Sequence, residues 1–306
     1  MTGFDWDALK TFLAVARAGR LTAAAQRLGA DHTTVSRRIT GLETSLGASL
    51  FHRSPSGYTL TSHGERLMAT AEAMESLSLA AQSEVGGADL RVTGAVRIGA
   101  PEGFGSAFLA PRLGALAARH PELKVELVAI AGVFSLSKRE ADIAIHLSPP
   151  AEGRLVARKL TDYRLGLYAS HAYLARTARI TRREDLPDHR FIGYIEDLLT
   201  TSELDYLRQG EIPIEAQIKS SNLIAQLAAA RAGAGICVLP HFIAREEPDL
   251  VPVLPAEVNL TRSFWLVTHA DLRNLARVRE TADFIVDEVK AAKAAFLGLE
   301  PVGGAY

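Results

Sequence analysis

The sequence lacks the features that mark an exported or membrane-bound protein. Its single cysteine, Cys237, excludes an intrachain disulfide and fits a reducing compartment. The stretch MTGFDWDALK at the start carries acidic residues where a signal peptide has a basic region and an apolar core. No run approaches about 18 uninterrupted apolar residues, because LIAQLAAARAGAGICVLP is broken by Gln226 and Arg231. We therefore expect a soluble, cytoplasmic protein with no membrane partner.

The sequence also lacks the common signatures of catalysis. It contains no G-x-S-x-G elbow, no H-E-x-x-H pair, no second cysteine for zinc and no Walker-type loop. The segment GFGS lacks the third glycine of a dinucleotide fingerprint. His171 follows Ser170 at the predicted start of a helix, where a capping role explains the pair equally well. We expect no enzyme, no metal site and no cofactor.

The formal net charge of the whole chain is only -1, but the charged residues are unevenly distributed along it. Before Thr61, seven basic residues stand against four acidic ones, which leaves +3 on this segment and -4 on the remainder. A small basic segment permits phosphate binding by one module. The 306 residues exceed a single comfortable core, so two or three domains are expected.

Three short helices are predicted near the start of the chain. The first runs from Asp5, a plausible N-cap, to Ala18 and is stopped by a glycine. The second is capped by Thr22 and ends at Gly29, and Asp31 caps the third. Two short helices joined by a tight turn are the helix-turn-helix arrangement.

The third helix has two contrasting faces. Its apolar residues recur at the spacing of a helix with one buried stripe: Val35, Ile39, Leu42 and Leu46. The opposite face is basic and rich in hydroxyls: Thr33, Arg37, Thr40 and Thr44, with Ser36 at its margin. Short donors and acceptors close to the backbone favour a surface pressed against a partner. A plain surface helix that happens to be rich in threonine is the alternative.

After this helix the chain reads SLFHRSPSGYTLTSHG, which predicts a short hairpin, or wing. Arg53 lies near its tip, where a guanidinium is well placed to contact a phosphate. The alternative is a connector with no binding role.

A long helix is predicted from Ser62 to Val85. Its seam alternates steps of four and three and uses mostly small residues, which permit close approach of a second helix: Leu67, Ala71, Met74, Ser78, Ala81 and Val85. We interpret it as a linker helix that also dimerises. Packing of this helix on its own domain gives a similar pattern. Gly86, Gly87 and Ala88 then predict a hinge.

The remaining two hundred or so residues alternate strands and helices, which predicts mainly parallel sheets with helices on both faces. The predicted strands are 95–99, 124–130, 142–147, 164–168, the buried GAGICVLP and 264–268. The predicted helices are 106–120, 222–232 and 275–296. Such sheets bind ligands at the carboxyl ends of their strands.

These motifs together resemble the LysR-type transcriptional regulators. The segments that carry the resemblance are AAAQRL, TVSRRI with LE, LFHR, LTSHG, GAVRIGAP, ADIAIHL, LYASHAYL and AGAGICVLP, which span about residues 5 to 293. The resemblance implies an α/β chain with an N-terminal winged helix-turn-helix, a linker helix and a C-terminal effector domain similar to periplasmic binding proteins. The implied domains are 1–61, 62–89 and 90–306. The effector domain would have two α/β halves, 92–160 with 267–293 and 161–266, joined by two crossover strands.

In this family the third helix lies in the DNA major groove. The resemblance implies base contacts for four residues, with the bidentate fork of arginine the best candidate for guanine: His32, Thr33, Ser36 and Arg37. It implies phosphate contacts for three more: Thr34, Arg38 and Arg53. Relatives often have glutamine at position 32, and serine, proline or alanine at 33; His32 and Thr33 depart from this pattern, so the resemblance does not fix the operator sequence.

The resemblance further implies a small-molecule effector, of a class that the sequence leaves open, in a cleft between the two halves. The implied contacts are Ala100, Glu102, Phe104, Ile130, His146, Tyr194, Ser220 and Asn222. GAPEGFGS and KSSNLI each end a strand at a helix start, where free N–H groups favour an anion; an ordinary turn or cap is the alternative.

His146 stands where relatives commonly have arginine, and Glu102 adds a negative charge. The sequence is therefore as compatible with a neutral or amphipathic effector as with a simple aromatic acid.

The expected partners are a double-stranded DNA operator, this effector and further copies of the chain, in a homodimer or homotetramer. A solute-binding protein, which the effector domain also resembles, would need an export signal and would lack the DNA-binding segment. The sequence has the reverse of both features.

Overall fold

The structure is a computed structural model that describes residues 5–55, 57–85, 92–130, 136, 140–150, 154–209 and 214–299. The chain divides into two compact units, residues 1–89 and 90–306. The glycine-rich hinge predicted at positions 86–88 lies outside the described residues.

The first unit is a helical domain with a two-stranded wing. Its elements are α1 (Trp6–Ala18), α2 (Leu21–Leu28), α3 (His32–Leu46), β1 (Phe51–Ser54), β2 (Gly57–Leu60) and α4 (Ser62–Val85). The apolar stripe of α3 meets Phe12 of α1 and Leu50 before the wing in one buried cluster. This arrangement confirms the predicted winged helix-turn-helix fold.

Local capping agrees with the sequence at two of the three helix starts. Asp5 accepts a hydrogen bond from the backbone N–H of Asp7, and Asp31 caps α3. The cap predicted at Thr22 is wrong, because α2 begins at Leu21 after an extended Arg20 that makes no side-chain capping bond. Thr22 therefore lies inside the first turn.

The wing is held against the end of α1. The N–H of Tyr58 donates to the carbonyl of Gly19 at 2.8 Å. Gly57, with a φ of 137°, sits so close to that carbonyl that a Cβ atom would overlap it. A glycine is therefore required at the turn of the hairpin, and this contact fixes the position of Arg53 on β1.

The first half of α4 packs on its own unit. Ala71 is fully buried in the helical core, and Leu67 packs against it. Arg17 of α1 pairs with Glu75 at 2.8 Å and with Glu72 at 3.6 Å. Packing on the same domain, the alternative left open by the seam, therefore accounts for this half of the helix.

The second unit is built on one sheet of nine strands among the described residues. The strands are β3 (Gly94–Pro101), β4 (Leu123–Ile130), β5 (Ile143–His146), β6 (Leu155–Ser170), β7 (Phe191–Tyr194), β8 (Ile218–Ser220), β9 (Ile236–Pro240), β10 (Leu250–Val253) and β11 (Leu260–His269). Their order is β4-β3-β5-β11-β6-β9-β7-β8, with β10 also on β6.

Short helices cover this sheet. They are α5 (Leu113–Arg119), α6 (His171–Leu174), α7 (Tyr206–Gln209), α8 (Leu223–Arg231), α9 (His241–Ala244), α10 (Ala276–Ala291) and α11 (Lys293–Leu297). The helix predicted over 106–120 is wrong as one element, because a π-helix (Phe104–Leu109) and a 3₁₀ turn (Ala110–Arg112) precede α5. The helix predicted over 275–296 is interrupted at Ala292, which leaves the helical conformation.

Two long antiparallel strands, β6 and β11, run through the middle of this sheet. β11 pairs with β5 on one side, while β6 pairs with β9 and β10 on the other. The strand predicted over 164–168 is therefore only part of β6. The β6–β11 register shifts between Phe264 and Trp265, next to the predicted junction of the two halves. These are the crossover strands of the implied fold, and the fold class is confirmed; the domain bounds stay a prediction.

Candidate functional site

Asp31 organises the start of α3. Its carboxylate accepts the backbone N–H of Thr33 and of Thr34, each at 2.9 Å. The Thr34 hydroxyl donates to the same carboxylate at 2.7 Å, and the Thr33 hydroxyl does so as well. These bonds hold the pKa of Asp31 well below its ordinary value. Both threonine hydroxyls donate their proton to the Asp31 carboxylate, so toward a partner they can act only as hydrogen-bond acceptors.

The face of α3 opposite the buried stripe is open to solvent. Its exposed residues are His32, Thr33, Arg37, Arg38, Thr40 and Thr44, and Ser36 is half-buried. Neither guanidinium forms an ion pair within the described residues. Two cations on a rigid helix face, free of internal carboxylates, form a surface suited to an anionic partner.

Leu46 was predicted to complete the buried stripe, and that prediction is wrong. The side chain is 37% exposed, whereas Ile39 is 1% exposed. The helix ends there: Gly47 adopts a left-handed φ of 63°, and the chain turns away from the core.

Glu43 joins α3 to the wing. One carboxylate oxygen accepts the N–H of Leu50 at 2.8 Å and that of Phe51 at 3.3 Å. The other oxygen pairs with Arg53 at 2.8 Å. Arg53 therefore lies at the predicted place near the wing tip, but its charge is shared with a carboxylate. A phosphate contact by Arg53 stays a prediction.

The second unit contains a cleft where strand ends of its two halves meet. The parallel strands β3, β4 and β5 end at Pro101, Ile130 and His146. From the other half, β7 and β9 end at Tyr194 and Pro240. All five of these residues line the cleft, whose open space of about 690 Å³ includes solvent at its mouth. Strand ends that converge on one concave site are a common setting for a small-molecule ligand.

Aromatic rings form much of the cleft wall. Tyr163 of β6 stacks on Phe264 of β11 with centroids 4.1 Å apart. Phe104 packs on the other side of Phe264 at 4.8 Å, and Phe242 approaches both crossover-strand rings. All four rings border the cleft. The wall therefore offers flat apolar surfaces to a ligand.

Three tyrosine hydroxyls supply hydrogen-bonding groups. Tyr206 hydrogen-bonds with Tyr163 and with Tyr194, and the rings of Tyr194 and Tyr206 lie edge to face at 5.7 Å. Burial raises the pKa of Tyr206 to about 12 and also raises the pKa of Tyr163 and Tyr194 well above the ordinary value. All three hydroxyls are therefore neutral and keep their protons at physiological pH.

Glu102 reaches from one half of the unit to the other. Its carboxylate accepts the N–H of Leu223, the first residue of α8, at 2.9 Å. It also hydrogen-bonds with the Asn222 side chain and the N–H of Ile224. Burial nevertheless raises the pKa of Glu102. Gly103 packs closely against the same region: a Cβ atom there would lie 2.6 Å from the end of the Leu223 side chain and 3.0 Å from that of Ile243, so these side chains would have to shift.

Five of the predicted effector residues line the cleft: Glu102, Phe104, Ile130, His146 and Tyr194. Three do not: Ala100, Ser220 and Asn222. Ala100 is fully buried and faces Gly105. The Ser220 hydroxyl accepts the N–H of Asn222, and the side-chain oxygen of Asn222 accepts the N–H of Ala225 and so caps α8. Ser220 and Asn222 therefore act as local caps, which was the alternative to ligand binding given in the sequence analysis. The Asn222 side chain nevertheless hydrogen-bonds with Glu102, which lines the cleft.

Four of the aromatic residues that line the cleft are not predicted from the sequence: Tyr163, Tyr206, Phe242 and Phe264. Tyr163 and Phe264 face the cleft from the two crossover strands, so the predicted junction between halves was the signal that pointed to them. Phe242 follows the buried strand β9, whose end was an expected ligand position. Tyr206 lies in a segment of short turns, and no periodicity or motif indicated its role.

No helix in the described ranges has the length and apolar character needed to cross a membrane. Within the same ranges, no group of three histidine, cysteine or acidic side chains is arranged to hold a metal ion.

Two family models match the chain. The model described as a bacterial regulatory helix-turn-helix protein of the lysR family matches residues 6–65, and the LysR substrate binding domain matches residues 91–290. The regulator PtxR of Pseudomonas aeruginosa is 30% identical over 81% of this chain and 81% of its own length. The regulator CrgA of Neisseria meningitidis is 28% identical over 92% of this chain and 96% of its own.

Solved structures give the same picture of the fold. A full-length variant of OxyR from Pseudomonas aeruginosa superposes with a TM-score of 0.70 at 19% identity, over 94% of this chain and 98% of that one. At that identity the likeness concerns the fold alone.

Proposed function

This chain belongs to the LysR family of transcriptional regulators, and from that premise we propose how its two units recognise DNA and effector. It is a DNA-binding regulator with an effector-binding domain, and its relatives are named as regulators, not enzymes.

In the first unit, α3 is the recognition helix and lies in the major groove. Arg37 reads a guanine through its bidentate fork, and His32, Thr33 and Ser36 complete the base contacts. Thr34, Arg38 and Arg53 hold phosphates. The observation that carries this proposal is that Arg37 and Arg38 stand on the solvent side of a helix whose other side is buried, with no carboxylate paired to them in the described structure.

In the second unit, the effector binds in the cleft between the strand ends of the two halves. The crossover strands β6 and β11 connect these halves, so a ligand that contacts both changes the angle between them. The assembly then repacks, and the spacing of recognition helices along DNA changes. Five of the residues implied by the resemblance border this cleft, which supports the assignment.

Two copies of the chain bind DNA together in a homodimer or a homotetramer. Met74, a residue of the predicted seam of α4, is 38% exposed although its neighbour Glu75 pairs with Arg17 of the same unit, which supports a role for this seam in pairing. Action on an operator places the protein in the cytoplasm.

The DNA-binding proposal is tested with duplexes selected from a random pool by the purified full-length chain. Arg37→Ala is compared with Arg179→Ala, which removes the same charge from an exposed position in the second unit. We expect Arg37→Ala to weaken the selected site by about 1–3 kcal/mol, and we expect Arg179→Ala to leave the affinity unchanged. Electrophoretic mobility shift and footprinting supply both measurements.

A footprint and affinity unaltered by Arg37→Ala would remove Arg37 from the base-reading set. A folded protein that retains no duplex at low ionic strength would overturn the whole DNA-binding proposal. Arg38→Ala is expected to weaken binding to all duplexes alike. It should also reduce the slope of log K against log salt concentration by about the amount that one phosphate contact contributes.

A further inference from the structure

We propose that the cleft of the second unit is built for an uncharged aromatic ligand, because the protein fills its own anion site with Glu102. This proposal rests on the proposed function and names the class of effector. Its basis is the contact between Glu102 of one half and the start of α8 in the other.

The start of α8 is the kind of place where a carboxylate ligand would bind. Its first N–H groups lack partners within the helix and point toward the cleft side of the domain. Here the Glu102 carboxylate accepts Leu223 N–H at 2.9 Å and also engages Ile224 N–H and the Asn222 side chain. An anionic ligand would therefore have to displace a carboxylate that is tethered to the protein.

An anion elsewhere in the cleft finds no lysine or arginine in the cleft wall. Among the described residues that line the cleft, Glu102 is the one carboxylate and none is a lysine or arginine. Arg262 lowers the pKa of Tyr163 and Tyr206 through its charge, but it does not line the cleft, and its guanidinium donates to the carbonyl of Thr261 at 2.9 Å. A buried anion there would thus be desolvated without a counter-charge.

A cation is disfavoured by the same contact. The Glu102 carboxylate already faces the positive end of the α8 dipole and accepts three donors, so it offers little free charge to a ligand. A second carboxylate, Glu203, which does not line the cleft, likewise accepts hydrogen bonds from Thr201 and Ser148. The two halves therefore meet through carboxylates that already have hydrogen-bond donors before any ligand arrives.

The remaining surface suits a flat ring with a polar substituent. Rings of Phe104, Tyr163, Phe242 and Phe264 border the space, and neutral tyrosine hydroxyls and His146 supply hydrogen bonds. Such walls favour aromatic ligands through stacked and edge-to-face contacts.

The test uses three probes of equal shape and different charge: 2-naphthoate, 2-naphthamide and 2-naphthamidine. Binding to the full-length chain is measured by isothermal titration calorimetry. We expect the neutral amide to bind at least about tenfold more tightly than either charged probe, a difference of about 1.4 kcal/mol. This ranking needs no variant, so it does not depend on how a substitution folds.

Glu102→Gln then removes the charge while keeping an acceptor for Leu223 N–H. We expect the preference for the amide over the naphthoate to shrink by about tenfold or more. Glu184→Gln, an exposed position in the same unit, is the matched control and should leave the ranking unchanged. A naphthoate that binds best to the wild type, or a ranking that Glu102→Gln leaves intact, would overturn the proposal.

The location is tested separately with Ile130→Trp, which narrows the cleft mouth from a side chain that is 47% exposed. Leu198→Trp, at an exposed aliphatic position outside the cleft lining, is its control. Loss of amide binding in the first variant alone supports the site. Failure of all three probes to bind, or binding unaffected by Ile130→Trp, would instead overturn the assignment of an aromatic effector to this cleft.

Discussion

The recognition face of α3 and the effector cleft differ in whether their charged side chains already have partners within the protein. On α3, Arg37 and Arg38 project from a helix whose other side is buried, and no described carboxylate pairs with them. In the cleft, Glu102 is desolvated and saturated with donors from across the domain. The first surface keeps its charge available for an outside partner, and the second neutralises its charge internally.

The N-termini of α3 and α8 differ in where the side chains that cap them come from. Each has free N–H groups that attract an anion. At α3 the anion is Asp31, the adjacent residue in the chain, so the cap is local. At α8 a local cap, Asn222, is joined by Glu102, 121 residues away along the chain. The local cap fixes one helix, while the distant carboxylate also ties two halves of a domain together.

The largest effect is expected from the buried side of α3, which holds the exposed face in place. Ile39→Ala removes a side chain that is 1% exposed and should lower the free energy of unfolding of the first unit by about 2–5 kcal/mol. Leu46→Ala, on the same helix but 37% exposed, should have a much smaller effect. Urea unfolding followed by Trp6 fluorescence, in a Trp265→Phe background, reports on this unit. Equal losses in both variants would contradict the account.

A pH effect of intermediate size is expected in the second unit. The Tyr168 hydroxyl lies 2.6 Å from Nδ1 of His241, and burial lowers the pKa of this histidine to about 4 from 6.5. As pH falls from 6.5 toward 4, the unfolded chain takes up a proton that the folded unit does not. Stability should therefore fall with decreasing pH across this window, by at most about 1.4 kcal/mol per pH unit, and level off below it.

Trp265 fluorescence in a Trp6→Phe background follows this unit. His241→Gln should flatten the pH dependence of its unfolding, whereas His63→Gln, at an exposed histidine of the first unit, should not. A slope that persists in His241→Gln would assign the effect to another group.

The smallest effect is expected at the wing. Arg53 shares its charge with Glu43 at 2.8 Å, and its side chain is 47% exposed. Arg53→Ala should therefore weaken all duplexes by less than about 1 kcal/mol, less than the loss expected for Arg37→Ala. Mobility shifts at several salt concentrations give the comparison. A larger loss than that of Arg37→Ala, or a change of base preference, would show that the wing reads sequence.

The first unit was largely predictable because its determinants are local. The spacing of Val35, Ile39 and Leu42 identified the buried side of α3, and Asp31 identified its start. The pattern failed at Leu46, which fits the stripe by spacing but lies where the helix ends. It also did not indicate that Arg53 meets a carboxylate contributed by α3.

The position of the cleft was predictable from the sequence, but only some of the residues that line it were. Strand ends such as Ile130 and His146 follow from the topology of a parallel sheet, and they line the cleft. The partnership of Glu102 with α8 depends on how two distant segments pack, and no sequence pattern encodes it. Tyr206 reaches the cleft from a segment without periodicity, for the same reason.

The most direct test of the contrast is a salt titration of two binding constants in one protein preparation. The selected duplex should lose affinity steeply between about 50 and 200 mM salt, because each phosphate contact releases counterions. The affinity of 2-naphthamide should change by less than about twofold over the same range, because the ligand carries no charge for salt to screen. A duplex affinity that ignores salt, or an amide affinity that follows it, would contradict the account.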